Sequence, residues 1–146
     1  MADKTNGEIV INADPAKIMQ AIGDLELYPE WSEGVQAVDV TEKTEDGRPK
    51  VARFKFASGP IKDEFTLEYE WNGNDSVSWK LTDGKVLTKE DGTYTLIDQG
   101  GGNVLVKYDL EVGLSIKVPG FMKKQAEKKI VKTALSGLKA RVESLP

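Results

Sequence analysis

The chain contains no cysteine and no histidine. The first absence excludes disulfides, thiolate nucleophiles and Cys-ligated zinc or iron-sulfur centres, and it suits a reducing compartment. The second removes the commonest general base together with the commonest metal ligand. Ser-His-Asp and Cys-His catalysis, HExxH zinc sites and ordinary haem ligation are therefore closed, and no metal or cofactor is expected. Long apolar runs are also missing: nothing approaches the roughly 20 residues of a membrane-spanning helix, and the opening MADKTNGE is polar where a signal peptide would be apolar. A cytoplasmic protein is expected. Nor is there an excess of positive charge. With 20 Lys and Arg against 24 Asp and Glu, the net charge of -4 offers no basic face to a nucleic acid.

What remains is 146 residues, expected to form one domain over residues 1–146, large enough to bury about 70% of the surface of the unfolded chain. The charge is unevenly spread. From Pro119 to the end, Lys123, Lys124, Lys128, Lys129, Lys132, Lys139 and Arg141 face only Glu127 and Glu143, a balance of +5 that leaves -9 for the rest. This reads as the solvated face of an amphipathic helix, with transient contact to an acidic membrane or protein surface as the sharper alternative. Asn74-Asp75-Ser76 matches a glycosylation acceptor, but without a secretory signal it marks a hairpin turn.

Along the chain, Glu8 to Ala13 alternates as a strand, and Asp14-Pro15 starts a helix carrying Ile18, Met19 and Ile22 on one side. A short second helix or turn holds Tyr28-Pro29-Glu30-Trp31, and Gly34 releases the chain into an extended run from Val35 to Thr44. Strands are then predicted over Lys50–Ala57, Lys62–Trp71, Ser76–Thr82, Val86–Ile97 and Val104–Val112, separated by turn clusters such as Asn72-Gly73-Asn74-Asp75 and Gln99-Gly100-Gly101-Gly102-Asn103. The result is a meander of six antiparallel strands. After Pro119 the period changes. Met122, Ala126, Ile130, Ala134, Leu138 and Val142, supported by Phe121, Leu135 and Leu145, fall at helical spacing over about six turns. This is an α+β pattern, and the long helix has to lie against the sheet, because each has an apolar face that nothing else covers.

The sheet face is aromatic. Phe65, Leu67, Tyr69 and Trp71 share one side of their strand, opposite Glu64, Thr66, Glu68 and Glu70. Neighbouring strands add Phe54 and Phe56, then Val77, Trp79 and Leu81, then Tyr94 and Leu96, then Val106, Tyr108 and Leu110. Any one of these rings could be plain core, since sheets enrich aromatics. The set carries Tyr hydroxyls and indole N–H groups that need partners, and an apolar concavity with a few polar groups is the usual small-molecule site.

Three stretches, INADPAKIMQAI (11–22), LYPEWSEGVQAVDV (27–40) and KDEFTLEYEW (62–71), occur in an order that resembles the START-like, helix-grip superfamily. That group, also called SRPBCC, includes the pollen allergen Bet v 1, START-type coenzyme Q-binding proteins, and small bacterial polyketide cyclase/dehydrase and lipid transport proteins. The resemblance implies a curved seven-stranded antiparallel sheet wrapped around the C-terminal helix, two short helices after the first strand, and a cavity between sheet and helix. It places Trp31 in the cavity wall, with Leu27 and Tyr28 tucking that wall onto the sheet. Together with the aromatic face it gives a candidate ligand set of Trp31, Phe54, Phe56, Phe65, Leu67, Tyr69, Trp71, Trp79, Leu81, Tyr94, Tyr108 and Leu110, joined from the helix by Phe121, Met122, Ile130 and Ala134. Ser58-Gly59-Pro60 and the Gly113–Gly120 segment are the expected edges of an entrance.

No catalytic residue is assigned. Cyclases of this kind orient a poly-ketone with Arg, Tyr, Trp and Asn side chains, but Arg53 alternates with Phe54 and Phe56 and points to solvent. Of the carboxylates nearest to a cluster, Asp63, Glu64, Glu68 and Glu70, alternation puts Glu64, Glu68 and Glu70 outside, and these read as solvated. The expected function is binding or transport of a hydrophobic small molecule such as a lipid, isoprenoid or polyketide-like compound. The alternatives are a polyketide aromatase/cyclase or dehydratase, and a protein-interaction module with a filled core.

Overall fold

The computed structural model describes residues 3–59 and 61–145. Pro60, assigned above to an entrance edge, lies outside the described residues. Strand β1 (Asp3–Ile11) leads into helix α1 (Pro15–Gly23) and a 3-10 helix (Leu25–Glu30). Strands β2 (Val35–Lys43), β3 (Pro49–Ser58), β4 (Ile61–Asn72), β5 (Ser76–Asp83), β6 (Leu87–Gly100) and β7 (Asn103–Leu114) follow, and helix α2 (Gly120–Ser144) closes the chain. The seven strands form one antiparallel sheet in the order β1-β7-β6-β5-β4-β3-β2. This is the expected helix-grip architecture, with the meander closed at one edge by the first strand.

Local chemistry accounts for the elements. Asp14 occupies the N-cap of α1 in extended conformation and Pro15 fills the first helical position, where a missing N–H costs nothing. Ile18, Met19, Ala21 and Ile22 form the buried face, and the Asp24 N–H closes the last turn on the Gln20 carbonyl at 3.0 Å. Gly34, at φ +96°, makes the turn from the 3-10 helix into β2; a Cβ there would also stand 2.8 Å from the Phe56 ring. The expected tail segment is shorter than Gly113–Gly120: Gly113 lies within β7, and the Ser115 N–H donates to the Val86 carbonyl at 2.8 Å.

Helix α2 crosses the concave face. It buries Ala126, Glu127, Val131, Ala134, Leu135, Leu138 and Val142, and it comes close to β1 at Gly7, where a Cβ would lie 2.8 Å from Val131. Glu127 is fully buried, against expectation for a residue of a solvated face. It accepts from Thr5 Oγ1 at 3.2 Å and Lys123 Nζ at 2.5 Å, while the same Nζ reaches the Val112 carbonyl at 3.0 Å. A buried charge needs such partners, and these tie α2 to β1 and β7. Other basic residues of the helix are also engaged: Arg141 pairs with Glu30 at 2.9 Å and Lys129 with Glu33 at 3.4 Å. Among the described residues no helix is long and apolar enough to cross a membrane.

Trp31 packs on the helix instead of facing the space beneath it. Its ring lies 4.7 Å from that of Tyr28, and a Cβ on Gly137 would stand 2.5 Å from the Trp31 carbonyl oxygen. In an open helix, Gly→Ala stabilises by about 1 kcal/mol. Here the sign should reverse, with Gly137→Ala costing on the order of 1–3 kcal/mol in urea unfolding, because the 3-10 helix must move off α2.

One irregularity shapes the middle of the sheet. Strands β5 and β6 pair only over Ser76–Trp79 and Gly92–Thr95. Beyond that the β5–β6 ladder stops short of its own turn. The turn is held from β4 instead: Asp63, 8% exposed, accepts through Oδ2 from the N–H groups of Lys85, Val86 and Leu87 at 3.0, 2.9 and 3.0 Å. Its Oδ1 takes the Glu64 N–H at 2.8 Å. Asp63 is thus buried on the inner side of β4, while Glu64 and Glu70 are exposed as expected and Glu68 is half-buried beside Lys80.

Candidate functional site

Between α2 and the sheet lies a cavity of about 90 Å³. Strands β3 and β4 contribute Phe54, Phe56, Phe65, Leu67 and Tyr69, strands β5 to β7 contribute Trp79, Tyr94, Tyr108 and Leu110, and α2 contributes Ile130 and Ala134. Each sheet residue arrives on the alternation of its strand, and the curvature of the sheet brings them together. Tyr28 enters from the 3-10 helix, and Ser32 and the exposed Glu33 stand at the mouth. The Glu33–Lys129 ion pair spans that mouth from the loop to α2.

Five residues of the expected set are not brought to the cavity wall. Trp31 packs on Gly137, as described. Trp71 sits at the far end of β4, its ring beneath the Arg48 guanidinium at 5.1 Å and against Gly23 of α1, its Nε1 donating to the Pro49 carbonyl at 2.5 Å. Leu81 lies on the part of β5 beyond its ladder with β6. Phe121 and Met122 belong to the first turn of α2 and are 69% and 40% exposed. Leu27, expected to tuck the wall onto the sheet, is 38% exposed, and Tyr28 does that work, buried with its hydroxyl on the Ile22 carbonyl at 2.5 Å. Arg53 faces solvent as expected.

The residue that sequence reasoning missed is Glu90. It lies on the face of Tyr94 and Leu96, two and three alternations along β6, and its carboxyl is part of the cavity lining. Gly92 makes room for this: the Trp79 indole lies across it so closely that a Cβ would fall 2.2 Å from the ring, and the indole Nε1 donates to Glu90 Oε1 at 3.0 Å. Around them Trp79 stands 5.4 Å from Tyr94, 5.7 Å from Tyr108 and 5.7 Å from Tyr69, centroid to centroid.

Burial among these rings lifts the Glu90 carboxyl from 4.5 to about 7; the indole hydrogen bond opposes the rise and the Asp91 charge adds to it. The hydroxyls of Tyr69, Tyr94 and Tyr108 are raised further from their ordinary range, first by burial and then by neighbouring acidic groups, and stay protonated. None of these three hydroxyls has a hydrogen-bond partner among the described residues, and none is sealed from accessible space. They are free to meet a polar atom of a guest. Among the described residues no cluster of acidic groups is arranged to hold a metal.

The family model described as polyketide cyclase / dehydrase and lipid transport matches residues 3–143. Among solved structures, a START superfamily protein from Mycobacterium smegmatis is 23% identical, with a TM-score of 0.88 over 98% of this chain and 99% of that one. The Zhui aromatase/cyclase from Streptomyces sp. R1128 is 8% identical, with a TM-score of 0.83 over 98% and 94%. Major latex-like protein 151 from Panax ginseng is 17% identical, with a TM-score of 0.72 over 99% of both chains. At these identities the likeness is one of fold. No curated protein matches the chain.

Proposed function

We propose, from the premise that this chain belongs to the polyketide cyclase / dehydrase and lipid transport family, that it is a single ligand-binding domain carrying or sensing a hydrophobic small molecule between sheet and helix. The observation behind this reading is the cavity itself, a mostly apolar wall with the Glu90 carboxyl and three Tyr hydroxyls that have no hydrogen-bond partner among the described residues. Desolvation of an apolar guest supplies about 25 cal/mol per Å² buried, before the entropy of binding is subtracted, and the polar groups set orientation. Trp79→Ala is expected to weaken uptake of an apolar fluorescent probe at least tenfold, and Glu68→Ala, on the outer face of β4, to leave it unchanged. Equal effects in a displacement titration would remove the cavity as the binding site.

Glu90 favours a second reading, acid-base catalysis of the cyclase or dehydratase type, because a carboxyl near pH 7 suits proton transfer. The size of the cavity opposes it. About 90 Å³ is less than the roughly 150 Å³ of an engineered cavity that admits benzene, so a folded poly-ketone enters only if several rings swing aside. A slender guest with its tail reaching out past Ser32 and Glu33 demands less displacement of the rings than a folded poly-ketone does.

The basic helix supports contact with an acidic surface. Phe121, Met122 and Ile116 are exposed beside Lys117 and Lys124, an apolar tip with a cationic collar. Co-sedimentation with anionic vesicles, lost on Phe121→Asp, is the expected result.

A further inference from the structure

The polar character of the cavity has one sign. Among the described residues its lining includes two carboxyl side chains, Glu33 at the mouth and Glu90 within, and no lysine or arginine. Glu33 already has a cation, Lys129, at 3.4 Å. Glu90 has none: its one hydrogen bond comes from the neutral Trp79 indole, and Oε2 accepts nothing from the described residues. A carboxyl in an apolar site without a cation is an unbalanced charge whenever it ionises. The rings around it are electron-rich on their faces, where a positive group is attracted and a negative one repelled. An acidic guest would meet a carboxyl, aromatic faces and no counter-charge; a basic guest would meet all that it needs.

We propose that the cavity selects a slender apolar amine, its ammonium seated on Glu90 between Trp79, Tyr94 and Tyr108 and its hydrocarbon chain lying along Phe54, Phe65 and Leu67. This rests on the reading of the cavity as a ligand site and narrows it to a ligand class, excluding fatty acids and anionic lipids as its cargo. Binding is then linked to pH. The titratable groups facing Glu90 are Tyr69 from β4, Tyr94 from β6, Tyr108 from β7, Tyr28 from the 3-10 helix and the adjacent Asp91; α2 presents only Ile130 and Ala134. The tyrosines hold their protons, so Glu90 is the cavity-lining group that changes charge near neutrality.

The test is a calorimetric titration of n-hexylamine, n-hexanol and hexanoate into the wild type and E90Q at pH 8 and pH 5.5. In the wild type at pH 8 the amine is expected to bind about tenfold or more tightly than the alcohol, and hexanoate not at all. That preference is expected to disappear in E90Q, and in the wild type at pH 5.5, where Glu90 carries its proton. Alcohol binding equal to or tighter than amine binding, or an amine preference that survives in E90Q, overturns the ligand class and leaves the cavity as a binding site. Failure of all three compounds to bind overturns both.

Discussion

Replacing Glu90 by glutamine is expected to make the protein more stable at pH 8 and to leave its stability unchanged at pH 4.5. The carboxyl titrates near 7 in the fold and near 4.5 in the unfolded chain, so the folded state is the one that favours the proton. Below about 4.5 both states carry it and nothing is lost. Between about 4.5 and 7 the unfolded chain has released its proton while the fold still holds it, so stability falls across that window and levels off once the folded carboxyl is charged as well. Each pKa step is worth about 1.4 kcal/mol; because Glu90 is only half-buried, the expected cost is about 2 kcal/mol. Glutamine keeps an acceptor for the Trp79 indole and carries no charge, so it escapes that cost. Urea unfolding of both proteins at pH 4.5, 6 and 8 reads the difference directly. Parallel stability curves across that range would mean that Glu90 is better hydrated than its place among the rings implies. A site residue that lowers stability when ionised is what a binding function leaves behind when it competes with packing.

The second large effect is expected at Asp63. Removing its carboxylate in Asp63→Ala leaves four backbone N–H groups, those of Glu64, Lys85, Val86 and Leu87, without their acceptor. Charge-assisted bonds of this kind contribute more than neutral ones, and a buried donor left unmade is costly. Water can reach part of the turn, so the expected loss is about 3 kcal/mol and not the sum of four bonds. Glu64→Ala, one residue along on the solvent face, should stay within about 0.5 kcal/mol. A comparison of the two variants by urea unfolding separates a built acceptor from a generic surface charge; equal midpoints would mean that the turn holds itself.

Both acids were legible in principle. Counting back by twos from Phe65 reaches Asp63, and from Leu96 and Tyr94 reaches Gly92 and Glu90. Alternation places charged residues as surely as apolar ones, yet a reading guided by hydrophobicity stops where the apolar residues stop. On β6 a register shift between Leu87 and Lys89 puts Leu87 inward as well, which breaks the count at the point where it was needed. The strands, their order in the meander and the long helix were all readable because period and turn chemistry agree over most of the chain.

The wall of the cavity was readable only in part. Phe54, Phe65, Tyr69, Trp79, Tyr94 and Tyr108 lie where alternation puts them, but Trp71, Leu81, Phe121 and Met122 depend on where neighbouring elements end. On α2 a strict spacing of four drifts by about 40° per step against 3.6 residues per turn. The stripe through Ala126, Ala134, Leu138 and Val142 is buried as drawn, with Met122 exposed at its start, but the buried face is wider than one row of fours and also takes in Glu127, Val131 and Leu135. Trp31 could not be assigned from its own neighbours, because the space it fills is opened by Gly137, more than a hundred residues away in sequence.

The interrupted β5–β6 hairpin divides the sheet into two leaves, β2 to β5 on one side and β6, β7 and β1 on the other, joined by the short ladder at Ser76–Trp79 and by the Asp63 carboxylate at the turn. Backbone amides bordering the gap exchange their hydrogens with solvent through local opening, while those deep in the β6–β7 ladder wait for global unfolding. The molecule can therefore breathe along this seam without lifting its helix. The Trp79–Gly92 pair closes that ladder on the side of the gap, so opening of the seam begins at the residues that hold the Trp79 indole over Gly92 and beside Glu90.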